Sequence, residues 1–294
     1  MEDKLGRIED LINQLSSLER DLETLTPEAR EGASQEVARL RTQIVELLTA
    51  TLREGDVAAR RGAAYGLGKL LDERALDALI YALDDPDDVV RGWAAESLGA
   101  MGHSAAVIPL VRALKDENPY VAYNVSTALK RLDPELVSRH VIEELSNPNH
   151  NARRRSVKLL GEIGDSRVVL PILRCLQDED DTVRYESVEA LRKIGDRRAV
   201  PALIAALRDD CRDVRYGSIL ALKEYRDPRA IEPLIRVCLE NEDLRSLALQ
   251  AIREISGDDA IAPVMAAIED VRALVSMVAA KITKGKEEYH RASG

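Results

Sequence analysis

A hydrophobic residue that recurs every 31 positions is the feature of this sequence that most constrains its fold. The step is kept by Leu67, Leu98, Leu129, Leu160, Leu191 and Leu222, and Ile252 comes one residue short of the next one. An arginine column keeps the same phase at Arg60, Arg91, Arg153, Arg184 and Arg215, with Ala122 as the exception and Arg245 again one short. A fixed period of this size predicts a stack of similar units, each packed on its neighbours.

The unit at residues 178–207 shows the local structure that the pattern predicts. Val183, Val188 and Leu191 recur at the spacing of one helix face, and acidic residues precede them, as suits a helix N-terminus. Gly195 suits the left-handed position that follows a helix, and Pro201 suits the first turn of the next helix. Each unit is therefore predicted to be a helical hairpin.

Charge and cysteine content limit the classes of function. The 294 residues carry a formal net charge of −10, which opposes general nucleic-acid binding because such binding needs a basic face. The three cysteines show no metal-binding spacing, and Cys175 and Cys238 lie in apolar helical stretches, which predicts buried thiols. Unpaired cysteines suit a reducing compartment, and the first residues are charged and include no apolar segment, so we expect a cytoplasmic protein. No stretch is long and apolar enough to cross a bilayer, so we expect no membrane insertion.

The repeated pattern resembles the short HEAT-like repeats of the phycobilisome-lyase type. It combines Asp, a Val-Arg pair, spaced Ala and Leu, Ile-Gly-Asp and a Pro-Leu-Ile segment, and the best matches are residues 87–114, 165–176, 180–207 and 213–234. The resemblance extends over roughly residues 34–284. It implies an all-α fold, a right-handed α-solenoid of about seven HEAT-like hairpins with an N-terminal helical cap.

The two ends of the chain differ from the repeats. We expect residues 1–33 to form an amphipathic helix and cap, residues 34–284 the solenoid, and residues 285–294 a flexible tail, with a last capping helix at 271–284. Thr26 is a candidate helix cap ahead of Pro27. The N-terminal helix is interpreted as a solenoid cap, and the alternative is a coiled-coil segment that forms a homodimer.

A search for catalytic chemistry gives no candidate residue, metal ligand or cofactor motif. The HEAT-like enzyme deoxyhypusine hydroxylase binds iron through His-Glu pairs, but no Glu follows His103, His140, His150 or His290. The sequence also lacks the common phosphate-binding and zinc-binding motifs. The arginine column has a structural interpretation, a ladder of arginine–carboxylate hydrogen bonds to the acidic turns that is interrupted at Ala122.

Aromatic and cationic side chains give the candidate binding site. In repeats of the resembled type the Val-Arg helix lines the concave face, and the aromatic residues that map to it are Tyr65, Trp93, Tyr120, Tyr123, Tyr185 and Tyr216. They serve either as partner anchors or as packing residues between helices. Arg154, Arg155 and Lys158 are expected to face the same groove near Asn124, where they would bind an acidic or phosphate-bearing ligand unless neighbouring glutamates neutralise them.

The preferred function is a non-enzymatic scaffold or adaptor that binds a peptide or protein segment, an acidic segment among the candidates, in this concave groove. Two alternatives remain at this point. The resemblance implies a bilin-lyase-like enzyme or a tetrapyrrole-handling chaperone, and the cationic residues permit a nucleic-acid-binding protein, although the net charge opposes it.

Overall fold

The structure is a computed structural model, which describes residues 2–21, 25–257 and 261–270 together with residues 273 and 277. These residues form helices and connecting turns without a strand, which confirms the predicted all-α fold class. The α-helices are α1 (Glu2–Asp21), α2 (Pro27–Glu54), α3 (Val57–Leu70), α4 (Leu76–Ala82), α5 (Asp88–Met101), α6 (Val107–Arg112), α7 (Pro119–Lys130), α8 (Pro134–Val141), α9 (His150–Ile163), α10 (Val169–Cys175), α11 (Asp181–Ile194), α12 (Val200–Ala206), α13 (Arg212–Tyr225), α14 (Ile231–Glu240) and α15 (Arg245–Ser256). Residues 261–270 are helical as well.

The chain forms two compact units, Met1–Leu159 (unit 1) and Leu160–Gly294 (unit 2). Helix α9 begins in unit 1 and ends in unit 2. In unit 1 the helices of the Val-Arg type pack side by side, α3 on α5 and α5 on α7. Unit 2 repeats this arrangement with α11 on α13 and α13 on α15, and each short helix packs on the longer helix that follows it, as α12 does on α13.

Capping residues fix where the helices of a repeat begin and end. Asp180 accepts hydrogen bonds from the backbone N–H groups of Thr182 and Val183 and so caps α11. Gly195 ends the helix in the left-handed conformation, with φ of 73°, as the sequence predicts. Asp196 then caps a short 3₁₀ turn, and α12 follows with Pro201 in its first turn.

The phased leucines form the core of the array. Every one of Leu67, Leu98, Leu129, Leu160, Leu191 and Leu222 is buried, as is Ile252. Neighbouring helices approach closely beside them, since a methyl group added to Gly99 would lie 2.5 Å from the Cα of Ala128. Gly161 has the same relation to Ala190, at 2.6 Å, in unit 2. The glycine of this register therefore allows two helix backbones to pack without an intervening side chain.

At the N-terminal end, α1 packs on α2 through Ile8, Leu11 and Leu15, which are buried. Thr26 stands at the N-cap position of α2, but its side chain makes no capping hydrogen bond, so Pro27 marks the helix start without the predicted cap. The boundary predicted between residues 33 and 34 lies inside α2. The tail predicted at 285–294 and most of the helix predicted at 271–284 lie outside the described residues.

The cysteines Cys175 and Cys238 are buried free thiols, as predicted. Burial raises the pKa of Cys238 to about 11, which keeps this thiol protonated at neutral pH. Cys211 is partly exposed and stands at the start of α13.

One helix end carries a residue that is poorly suited to its backbone, which gives a first prediction. Leu71 adopts φ of 51° at the position where Gly195 ends α11. A left-handed conformation costs an L-residue about 1–2 kcal/mol, and glycine avoids this cost at some expense in unfolded-state entropy. We expect Leu71→Gly to raise the free energy of unfolding by about 0.5–1 kcal/mol in urea denaturation.

The matched control is Gly195→Ala, which introduces the strain that Leu71→Gly removes. It should lower the free energy of unfolding by about 1 kcal/mol. A loss of stability in Leu71→Gly would contradict the prediction, because it would mean that the half-exposed Leu71 side chain contributes more by packing than its backbone costs.

Candidate functional site

Three members of the arginine column, Arg60, Arg91 and Arg184, form the predicted bidentate contacts with carboxylates, whereas Arg215 donates to the backbone carbonyls of Asp209 and Asp210. Nε of Arg60 lies 2.7 Å from Oδ2 of Asp85, and Nη2 lies 3.0 Å from Oδ1. Arg91 contacts Asp116 in the same way, at 2.7 and 3.2 Å. In unit 2, Arg184 contacts Asp209 at 2.8 and 2.9 Å. In each pair the carboxylate belongs to the turn that precedes the next Val-Arg helix, so the contact joins adjacent repeats.

Each ladder arginine also binds the turn of its own repeat. Nη1 of Arg184 donates to the carbonyl oxygens of Asp178 and Glu179, at 2.8 and 3.2 Å. Burial alone would raise the pKa of Asp209, but hydrogen bonds from Arg184 and from the Cys211 N–H outweigh it and hold that pKa below its ordinary value. The hydrogen bond to Asp209 in turn raises the pKa of Arg184, so both groups are charged at neutral pH.

The ladder has one break in unit 1 where both partners change together. Ala122 replaces the arginine, and Asn147 occupies the place that Asp85 and Asp116 have in the preceding turns. Asn147 still accepts a hydrogen bond from the N–H of Asn149, as Asp85 does from the N–H of Asp87, so the turn itself is preserved. The loss of charge therefore leaves the local backbone unchanged.

A second arginine contact lies next to the ladder. Arg61 binds Asp87 at 2.6 and 2.9 Å, while Asp87 also caps α5 through the N–H groups of Val89 and Val90. The hydrogen bond from Arg61 is the main cause that lowers the pKa of Asp87 to about 2, and the backbone donors add to it against a smaller effect of burial.

This pKa gives a prediction about acid stability. A carboxyl group whose pKa is lowered on folding stabilises the folded state above its unfolded pKa and loses that contribution as the pH falls. For Asp87 the contribution should be complete above about pH 4 and should disappear between pH 4 and about 2. In urea denaturation at several pH values, the stability of Asp87→Asn should fall less steeply than wild type over this interval, since Asn retains the cap. Parallel curves for the two proteins would contradict the prediction.

The predicted aromatic residues of unit 1 lie on three adjacent helices. Tyr65 of α3 contacts Trp93 of α5, with ring centroids 5.3 Å apart and an interplanar angle of 51°. The ammonium group of Lys69 lies 5.0 Å from the centroid of the Tyr65 ring. Tyr120 of α7 packs against Gly92, where any added methyl group would overlap its ring. The aromatic set thus includes two direct contacts between neighbouring Val-Arg helices.

Tyr123 and Asn124 on α7 have different environments. The Tyr123 side chain is 70% exposed, so little of it packs on the protein. Asn124 is partly buried, and its Nδ2 has no hydrogen-bond partner among the residues that the structure describes. Tyr123 is therefore available to a partner, whereas Tyr65 and Tyr120 combine packing with about half-exposed rings.

The three cations predicted to face the groove, Arg154, Arg155 and Lys158, have different environments. Arg155 is partly buried, and its Nη1 donates to the backbone carbonyls of Leu114, at 2.7 Å, and Asp116. It links α9 to the turn before α7, in place of the groove-facing cation that the sequence predicts. Burial, followed by the nearby charge of Arg154, lowers its pKa below the ordinary arginine value. Arg154 and Lys158 form no ion pair within the described part of the chain.

In unit 2 the predicted aromatic residues are Tyr185 on α11 and Tyr216 on α13. The Tyr185 ring lies 3.6 Å from the position of a methyl group on Gly217, so it packs against α13. Burial and the neighbouring carboxylates Glu189 and Glu186 raise the pKa of Tyr185. The guanidinium of Arg212 lies 6.0 Å from the centroid of the Tyr216 ring. Both rings are more covered than that of Tyr123.

The described residues contain no group of three or more His, Cys, Asp or Glu side chains placed to hold a metal ion. His103 instead caps a short turn, because its Nδ1 accepts a hydrogen bond from the N–H of Ala105. This is the place that aspartates such as Asp196 take in other repeats. In the part of the chain that is described, no helix is long and apolar enough to cross a membrane.

Comparison with known proteins gives a family match over most of the chain. A family model described as HEAT repeats matches residues 15–99, 77–141, 138–222, 180–253 and 200–282. No curated protein sequence matches the chain.

Several solved structures are similar in fold. Human deoxyhypusine hydroxylase in complex with glycerol shares 20% identity over 86% of this chain and 99% of that chain, with a TM-score of 0.37. The complex of CpcE and CpcF of phycocyanin lyase from Nostoc sp. PCC7120 shares 23% identity over 77% of this chain and 94% of that chain, with a TM-score of 0.38. An engineered protein shares 18% identity over 79% of this chain and 73% of that chain, with a TM-score of 0.45.

Proposed function

The chain belongs to the HEAT-repeat family, and on that premise we propose that it is a non-enzymatic adaptor that binds a segment of another protein. The binding surface is formed by the exposed sides of α3, α5 and α7 in unit 1. A repeat array of this kind presents side chains from successive helices along one face, which suits an extended or helical partner segment.

The observation that carries the proposal is the row of aromatic side chains on adjacent helices. Tyr65 and Trp93 contact each other across α3 and α5, and Tyr120 and Tyr123 continue the row on α7. Tyrosine and tryptophan supply much of the binding free energy at many protein interfaces, because they bury large areas and lose little side-chain entropy. The chain has no Phe and only 3% aromatic residues, so four of them on three neighbouring helices is a marked concentration.

Packing orders these rings before any partner binds. Trp93 is partly buried, Tyr120 lies against Gly92, and Tyr65 is held between Trp93 and Lys69. Anchors that are ordered in the unbound protein reduce the entropy lost on association. Tyr185 and Tyr216 of unit 2 are proposed as further contacts of the same kind.

The proposal is tested with peptides selected on the wild-type protein from a random display library, followed by anisotropy measurements on variants. Tyr65→Ala with Tyr123→Ala should weaken binding at least about 10-fold, since each anchor contributes on the order of 1 kcal/mol or more. The melting temperature should change little because both side chains are at least half exposed.

Tyr81 offers a matched control, because it is 71% exposed, like Tyr123, but lies on the short helix α4. Tyr81→Ala should leave the affinity unchanged. If Tyr81→Ala weakens binding as much as the double variant, or if the double variant binds normally, the α3–α5–α7 surface is not the binding site.

A further inference from the structure

A local reversal of charge lies next to the aromatic surface. Residues 118–131 and 147–158, which contain α7 and most of α9 with their preceding turns, hold six cations and no Asp or Glu. The cations are Lys130, Arg131, Arg153, Arg154, Arg155 and Lys158. The whole chain carries a net charge of −10, so these two segments depart sharply from its composition.

The reversal arises from lost carboxylates as much as from added arginines. Asp87 and Asp180 cap α5 and α11, whereas Asn118 and Asn149 stand at the same register before α7 and α9. Asn147 likewise replaces the ladder aspartate. Asn caps a helix about as well as Asp does, so helix capping alone does not account for three neutral residues in this region.

Arg154 and Lys158 are the cations that this region leaves for a ligand. They lie one helical turn apart on α9 and form no ion pair within the described residues, while Arg155 is engaged by the carbonyls of Leu114 and Asp116. Arg154 also holds on α9 the register position that the exposed Tyr123 holds on α7, 31 residues earlier.

We propose that Arg154 and Lys158 recognise an acidic segment of the partner protein, whose apolar residues contact the aromatic surface of α3, α5 and α7. This inference rests on the proposed adaptor function and names the chemistry of its partner. Charge complementarity favours such a segment, because residues 118–131 and 147–158 are positive and contain no Asp or Glu. Its small extent within an acidic chain favours a peptide over nucleic acid, which needs phosphate contacts along a longer basic surface.

The test uses a fluorescein-labelled peptide in which Asp and Glu alternate with Leu and Tyr, and a matched peptide with Asn and Gln in the acidic positions. At low salt the full-length protein should bind the acidic peptide at least about 10-fold more tightly than the matched Asn/Gln peptide. Arg154→Glu with Lys158→Glu should remove most of this preference at about 50 mM salt and have a smaller effect at about 500 mM. The control is Arg174→Glu with Arg208→Glu, which changes the net charge equally at two exposed arginines of unit 2 and should retain the preference.

A milder variant restores the residue of the other repeats. Asn149→Asp keeps the cap of α9 and adds one carboxylate near the patch, so it should weaken acidic-peptide binding about twofold to fivefold with the fold unchanged.

Equal binding of the two peptides would overturn the inference and leave the adaptor function standing. A single-stranded oligonucleotide that displaces the acidic peptide and binds more tightly than it does would also overturn it. Loss of acidic-peptide binding in Arg154→Glu with Lys158→Glu, but not in Tyr65→Ala with Tyr123→Ala, would support the charge recognition and remove the aromatic surface from the proposal.

Discussion

Leu191→Ala should lower the free energy of unfolding by about 2–5 kcal/mol, the range for removing a fully buried leucine from a core that relaxes only partly. Leu191 is fully buried on α11, and the buried Tyr225 of α13 donates a hydrogen bond to its backbone carbonyl. The truncated side chain would leave a cavity where the two helices pack. Urea denaturation followed by far-UV circular dichroism measures the loss.

Asp180→Asn is the control in the same helix. Asp180 caps α11, and an asparagine can accept the same backbone hydrogen bonds, so the change should cost less than about 0.5 kcal/mol. Similar losses in the two variants would show that Leu191 does not occupy a core position of the repeat.

Arg184→Ala should lower the free energy of unfolding by about 3 kcal/mol, because removing one member of a largely buried pair leaves the other charge unpaired. The side chains of Arg184 and Asp209 are 16% and 12% exposed, and Arg184 also binds two carbonyls of its own turn. The variant thus loses contacts within one repeat and between two repeats. Chemical denaturation at pH 7 measures the effect.

Arg198→Ala is the matched control, since Arg198 also contacts an aspartate, Asp196, but its side chain is 51% exposed. Solvent screens an exposed pair of this kind, so Arg198→Ala should cost much less stability than Arg184→Ala. Equal costs for Arg184→Ala and Arg198→Ala would contradict the view that the ladder holds neighbouring repeats together.

The predictions from sequence were most accurate for features set within one hairpin. The hydrophobic phase identified the buried leucines, and Gly195 and Asp196 marked the turn between α11 and α12. Thr26 shows the limit of such reasoning, because its side chain does not cap α2. A residue type that favours a cap does not ensure that the hydroxyl is oriented toward a backbone N–H.

The sequence allowed the residues of the candidate site to be predicted from their type and their position in the repeat. It did not reveal which residues they contact. The sequence pointed to Tyr65, Trp93 and Tyr120, and the structure brings Tyr65 against Trp93 and Tyr120 against Gly92. It also suggested acidic partners for the arginine column without identifying them as residues 25 positions later, such as Asp85 for Arg60. The replacement of turn aspartates by Asn118, Asn147 and Asn149 was visible in the 31-residue register and was missed.

The sequence by itself determined the helical hairpin and its repetition, because period, caps and turn residues act over a few positions of the chain. Only the tertiary structure decided the role of Arg155, which lies beside Arg154 in the sequence yet donates to carbonyls of an earlier repeat. Hydrophobic periodicity fixes which side of a helix faces the core. The distance and rotation between adjacent repeats decide which neighbouring group a long side chain at the edge of that face can reach, and these depend on how two packed helices fit together.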